Sequence, residues 1–225
     1  MTASRRTTPR SVVAIGLLTA ATVLTGCGSA AEPSPPTGVD GLTIPTPDPD
    51  PDDFVAEVDN RWLPMESGAT WTYETLPGEP GGGEVRVVAE AGGVHGGITT
   101  TALIRTVLDQ RGRERSSTTD HYAQDTDGNV WWFGRDETWF AEPGLAMPAQ
   151  PRRGDGFRVA LAPGLDVRAE VTETDAELDT ALGELDGIVV LAVTASDGSA
   201  TQLYAPGIGL VRNATAGLVA FDEPR

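Results

Sequence analysis

Residues 54–225 are expected to form one mainly β domain, an antiparallel sheet curved into a half-barrel, a barrel or a sandwich, with at most short helices. Three features carry that expectation. Apolar residues recur at every second position in successive segments, turn-forming residues separate those segments, and no stretch holds a helical period beyond two or three turns. Period two sends alternate side chains to opposite faces, so one face packs inward and the other meets water. The 172 residues involved are enough for one core, burying roughly 70% of the unfolded-chain surface.

The elements follow in chain order. Strands are predicted over 69–75, 84–90, 99–109, 113–125 and 130–134. In 157–161, Phe157, Val159 and Leu161 alternate with Arg158 and Ala160. In 165–172, Leu165, Val167, Ala169 and Val171 alternate with Asp166, Arg168, Glu170 and Thr172. Residues 188–193 are apolar on both faces and rich in β-branched side chains, as a central strand would be. Strands over 200–204, 210–213 and 218–221 complete the set. Hairpin signals stand at Gln110-Arg111-Gly112-Arg113, Asp127-Gly128-Asn129 and Ser196-Asp197-Gly198-Ser199. Short helices are expected only at 54–60 and 173–182. A sheet of this kind hides its edges by curling into a barrel or folding into a sandwich.

Composition excludes several classes of function. The chain of 225 residues carries 16 basic side chains, all arginine, against 33 acidic ones, for a formal charge of -17. A nucleic-acid binder needs a basic face to displace counterions from phosphates. Without lysine there is no Schiff-base, P-loop or Ser-Lys chemistry. One cysteine, Cys27, rules out an intramolecular disulfide and a zinc ribbon.

The amino terminus reads as an export signal over residues 1–26. Arg5, Arg6 and Arg10 precede an uncharged, largely apolar run over 11–26, only just shorter than the roughly 17 to 25 residues of a membrane span. Leu24-Thr25-Gly26-Cys27 resembles the lipobox of bacterial lipoproteins, and the resemblance implies that Cys27 is acylated, with chains such as palmitate, and becomes the mature amino terminus. Two or more acyl chains, at about 0.8 kcal/mol per buried methylene, make such an anchor stable. The export route stays open between the general secretory path and, through Arg5-Arg6, the twin-arginine path. Cleavage would leave 13 basic and 33 acidic side chains. Residues 27–53 follow as a disordered Pro/Asp-rich tether, with Pro47, Pro49 and Pro51 alternating with Asp48, Asp50 and Asp52. At about 3.1 Å per residue it reaches some 80 Å when extended.

Trp62-Leu63-Pro64, Ser67-Gly68-Ala69-Thr70-Trp71-Thr72-Tyr73-Glu74, the stretch from His121 through Trp131-Trp132-Phe133-Gly134, and Tyr204-Ala205-Pro206-Gly207-Ile208-Gly209-Leu210-Val211 together resemble a group of secreted or lipid-anchored bacterial proteins of unassigned function. The opening segment is similar to the start of periplasmic domains built on a curved antiparallel sheet, a shape similar to the half-barrel carriers that shuttle lipidated proteins. The resemblance implies a fold class and no catalytic residues.

Trp131, Trp132, Phe133, Trp139 and Phe140 crowd into ten positions. Adjacent Trp131 and Trp132 on a strand must face opposite ways. If the second face is solvated, Trp131, Trp132 and Trp139 form a candidate binding patch for carbohydrate, lipid or a protein partner; if it is covered, both adjacent tryptophans are core. Asp125, Asp127 and Asn129 offer alternating oxygens, as a calcium loop would, but they also read as a hairpin turn. His95, among Gly92, Gly93, Gly96 and Gly97, reads as part of a flexible connection, and His121 lies on a strand beside Asp120. No catalytic residue, metal or cofactor is assigned.

The expected function is that of a non-enzymatic, monomeric protein, lipid-anchored through Cys27 on the extracytoplasmic face of the cell membrane. Its β-domain would bind an apolar or extended ligand or another envelope protein, and no nucleic acid. A structural or assembly lipoprotein without a pocket is the alternative, and a hydrolase using paired carboxylates the third reading.

Overall fold

The computed structural model describes residues 50–79 and 83–224. Thirteen strands run in order: β1 Phe54–Val55, β2 Thr70–Thr75, β3 Gly83–His95, β4 Ile98–Asp109, β5 Glu114–Asp125, β6 Val130–Arg135, β7 Thr138–Met147, β8 Gly156–Ala162, β9 Leu165–Thr180, β10 Gly183–Ala195, β11 Gly198–Ala205, β12 Gly209–Arg212 and β13 Ala216–Asp222. No α-helix occurs among the described residues; one 3-10 turn covers Pro51–Asp53. The expected signal over residues 1–26, Cys27 and most of the expected tether lie outside the described residues.

The sheet is a nearly closed, barrel-shaped antiparallel meander of twelve strands. From β2 to β7, and again from β8 to β13, each strand pairs with the next in sequence. The ring is joined by β13 pairing back onto β2, with Ala216 opposite Thr75 and Asp222 opposite Thr70. Register shifts interrupt most of the ladders. Such bulges bend and twist strands, which is how so long a sheet curls.

The seam lies between β7 and β8. Gly144 on β7 sits so close to β8 that a β-carbon there would overlap the Val159 carbonyl. β7 was not legible as a strand because Pro143 and Gly144 interrupt it. Pro143 falls where the β6–β7 ladder breaks, between Gly134 opposite Trp139 and Trp132 opposite Gly144, so its missing N–H removes no ladder bond.

One end of the barrel is capped. Residues 56–69 cross it, burying Val58, Trp62, Met65 and Ala69 against Val130, Met147, Phe157, Val171 and Ile188. Buried Asn60 fixes this segment. Its amide donates to the Gly128 carbonyl at 2.8 Å and the Pro148 carbonyl at 3.3 Å, while its Oδ1 accepts from the backbone of Trp62 and Leu63. The Arg61 carbonyl accepts from Gly207 N–H at 2.7 Å.

Three expectations are corrected. Residues 173–180 are strand: Ala176 pairs with Ile188 and Leu178 with Leu185 on β10, so ladder formation overrides the helix propensity of Ala, Glu and Leu. Residues 54–60 form the short β1, which pairs with Asp125 and Gln124 of β5, followed by irregular chain. The tether does not run to Asp53: Asp50 caps the 3-10 turn, and the Asp53 carbonyl accepts from Thr126 N–H.

Gly144→Val should destabilise the barrel by at least about 2 kcal/mol, the scale of overpacking a filled site. Gly156→Ala, where an added β-carbon meets nothing within 4 Å, is the control. Urea midpoints measure both; equal midpoints would remove the seam contact from this account.

Candidate functional site

Alternation along each strand gives the barrel an inside. On β9 the inward side chains are Leu165, Val167, Ala169 and Val171; on β10 they are Val189, Leu191 and Val193; on β3 they are Val85, Val87 and Ala89. Their burial falls away from the cap. Val171, Val189 and Ala89 are fully buried, whereas Leu165, Val167, Val193, Val85 and Val87 are only half-buried. The interior is therefore filled at the capped end and hollow toward the other. The hollow is a lumen of about 500 Å³, within the roughly 300–1,000 Å³ typical of ligand pockets.

The three tyrosines of the chain all line this lumen. Tyr73 Oη donates to the Leu210 carbonyl and Tyr204 Oη to Gln202 Oε1, both at 2.8 Å. Burial pushes both hydroxyls well above the ordinary tyrosine range. Tyr122 is raised as well, by burial and then by the neighbouring Asp120 carboxylate. Its hydroxyl has no hydrogen-bond partner among the described residues.

The lumen wall also carries charged groups. Asp120 is buried and held by Arg135, Nε to Oδ1 at 2.7 Å and Nη2 to Oδ2 at 3.1 Å. That two-pronged bond keeps Arg135 more firmly protonated. Arg135 also lies over the Trp132 ring at 5.0 Å. Arg105, opposite Val87 on β3 and Thr118 on β5, lines the lumen, is exposed, and makes no ion pair among the described residues.

The tryptophans separate as their parity requires. Trp132 faces the lumen, donating its indole N–H to the Gly134 carbonyl at 2.7 Å. Trp131 faces outward into a second cluster with Ile98, Ala123 and Phe133, covered by Phe54. Both are buried, at 7% and 6% exposure for Trp131 and Trp132, so neither belongs to an exposed patch. Trp139 stands half-buried on the outer side, stacked on His95 at 3.8 Å and on His121 at 4.5 Å. His95 is thus no flexible linker residue. It ends β3, where the bulge at Gly93 lets the β3–β4 hairpin fold across the outer face.

Asp125 serves the turn. Its Oδ1 accepts from Asn129 N–H, and its Oδ2 accepts from the Asn129 amide at 2.9 Å and the Trp131 indole at 2.7 Å. Asn129 Oδ1 accepts from Ala149 N–H, and Asp127 lies exposed at the tip. A shallower cavity of about 440 Å³ lies outside the lumen and brings Glu74, Glu84 and Asp109 together. Bonds from the Arg113 backbone N–H, then from the Arg111 N–H and the Arg113 side chain, hold the Asp109 carboxyl below the usual carboxylate range. Glu84 is bonded to Arg86.

Sequence reasoning missed Arg105, Gln202 and the tyrosines as lumen residues. Arg105 shares the parity of Leu103 and Val107, but Ala102 and Ile104 make the opposite parity apolar too. Which face was inner could not be read from that strand alone.

No family model matches the chain, and no curated protein matches it. One solved structure, of a Bacteroides fragilis protein described as exported and having a YmcC-like fold, aligns over 73% of this chain and 100% of its own, with 12% identity and a TM-score of 0.45. A likeness of that size bears on neither the fold nor the function of this chain.

The raised tyrosines are expected to weaken the fold in alkali. A hydroxyl whose pKa is higher folded than unfolded contributes stability that is whole below the unfolded value, near pH 10, and is lost as pH rises beyond it. Tyrosinate absorbance should appear in one step together with loss of near-ultraviolet circular dichroism. A tyrosine that ionises near pH 10 while the dichroism persists would contradict this.

Proposed function

We propose that this chain is a non-enzymatic lipoprotein, held at the extracytoplasmic face of the cell membrane through Cys27, whose barrel binds an apolar ligand in its lumen. The hollow, half-buried wall of Leu165, Val167, Val193, Val85 and Val87 carries the reading. A purely structural barrel would gain by filling that space, since each methylene withheld from water contributes about 0.8 kcal/mol. The wall's one carboxylate, Asp120, is committed to Arg135. Asp109 and Glu84 of the outer cavity are committed to arginines as well, which disfavours the paired-carboxylate hydrolase. The lipobox-like Leu24-Thr25-Gly26-Cys27 supports the anchor, and the Pro/Asp-rich segment after it supports a spacer.

Two measurements test this. Phenylnaphthylamine should fluoresce when it enters the lumen, and Val167→Trp, which narrows the lumen, should weaken the signal without lowering the melting midpoint by more than a few degrees. No enhancement with the unsubstituted chain would sink the ligand reading. In the native host the chain should incorporate an alkyne-labelled fatty acid and partition into detergent, and Cys27→Ala should lose both properties; retained labelling would move the anchor elsewhere.

A further inference from the structure

We infer that the ligand of the lumen is a single-chain amphiphile with an anionic head, a carboxylate or a phosphate, whose head is held by Arg105. The inference rests on the ligand-binding reading and adds the chemistry of the occupant. Its first support is charge. The lining contains Arg105, Arg135 and Asp120 as its only charged residues, so the lumen carries one net positive charge inside a chain of -17. Arg135 is neutralised by Asp120 through two bonds, which leaves the Arg105 guanidinium as the uncompensated group.

The second support is the direction of the remaining hydrogen bonds. Each committed acceptor in the polar part of the lining is bound within the protein. Asp120 accepts from Arg135, Gln202 Oε1 from Tyr204 Oη, and Asn213 Oδ1 from the N–H groups of Thr215 and Ala216. These bonds orient the amides so that the NH₂ groups of Gln202 and Asn213, which have no acceptor among the described residues, are left to donate, as are the Tyr122 hydroxyl and Arg105. A surface of spare donors calls for a head that only accepts. An ammonium head would find only the Thr118 and Tyr122 hydroxyls to accept from it, and an alcohol would leave most donors unmet. The rest of the lining is mostly apolar, with Val85, Val87, Leu165, Val167, Leu191 and Val193 among it, so the remainder of the ligand is hydrocarbon.

The test uses the full chain carrying Cys27→Ser, which takes no acyl group, loaded with phenylnaphthylamine. Four competitors of one chain length are titrated against the dye, each below its micelle-forming or solubility limit: dodecanoate, dodecyl phosphate, dodecanol and dodecyltrimethylammonium. Dodecanoate or dodecyl phosphate should compete at about tenfold lower concentration than dodecanol, the scale of one charge-assisted bond, and the ammonium should be weakest. Whichever of the two anions is tighter identifies the head. Arg105→Ala should bring both anions to the level of dodecanol while leaving dodecanol unchanged, and Arg105→Lys should keep part of the preference. Equal competition by dodecanol and the anions, or an anion preference that survives Arg105→Ala, overturns the inference while leaving an apolar ligand standing. Failure of all four to displace the dye removes the ligand-binding reading as well.

Discussion

The pairing of β2 with β13 is the contact on which the rest of this molecule depends. It joins segments near opposite ends of the described chain, setting Trp71 opposite Phe221 with their rings stacked at 5.5 Å. Without it the two meanders would be open sheets with bare edges; with it they share an interior. Closing so long a loop costs entropy that grows only slowly with length, and six laddered pairs together with the bonds from Trp71 and Tyr73 to the Ile208 and Leu210 carbonyls offset it. Because the reward comes only after distant residues meet, folding is expected to be slow for a domain of this size.

Closure creates an interior, but the cap makes the two ends unlike. Asn60 spends both halves of its amide on four bonds that seat residues 56–69 across one end, and the large side chains Trp62 and Met65 fill the space beneath. Nothing equivalent among the described residues fills the other end. The barrel is thus a packed core for half its length and a lumen for the rest, and this gradient is what turns an ordinary antiparallel sheet into a candidate container. Tyr73, Tyr204 and the Asp120–Arg135 pair line the lumen, bound by contacts that burial makes hard to break.

Much of the architecture was readable from local pattern. Alternation in 84–90, 99–109 and 165–172 located strands, and Asp127-Gly128-Asn129 marked a hairpin that the structure builds with Asp125 as its brace. The failures have specific causes. Pro143 and Gly144 disguised an edge strand, and Glu, Ala and Leu in 173–180 carried helix propensity that pairing with β10 overrode. The opposite facing of Trp131 and Trp132 followed from strand geometry, yet their burial did not. It needed the β3–β4 hairpin and Phe54 to fold over the outer face, a contact between segments far apart in sequence.

Periodicity, turn residues and composition are local or additive, so they were enough for the β class, the antiparallel topology, the acidic surface and the lipobox-like motif at Cys27. Closure of the ring, the choice of inner face on a strand apolar on both sides, and the survival of a hollow beyond the cap are decided by pairing and packing between distant segments. Arg105 illustrates the difference. In sequence it is one of 16 arginines; only after β13 meets β2 does its side of β4 become the inside of a barrel.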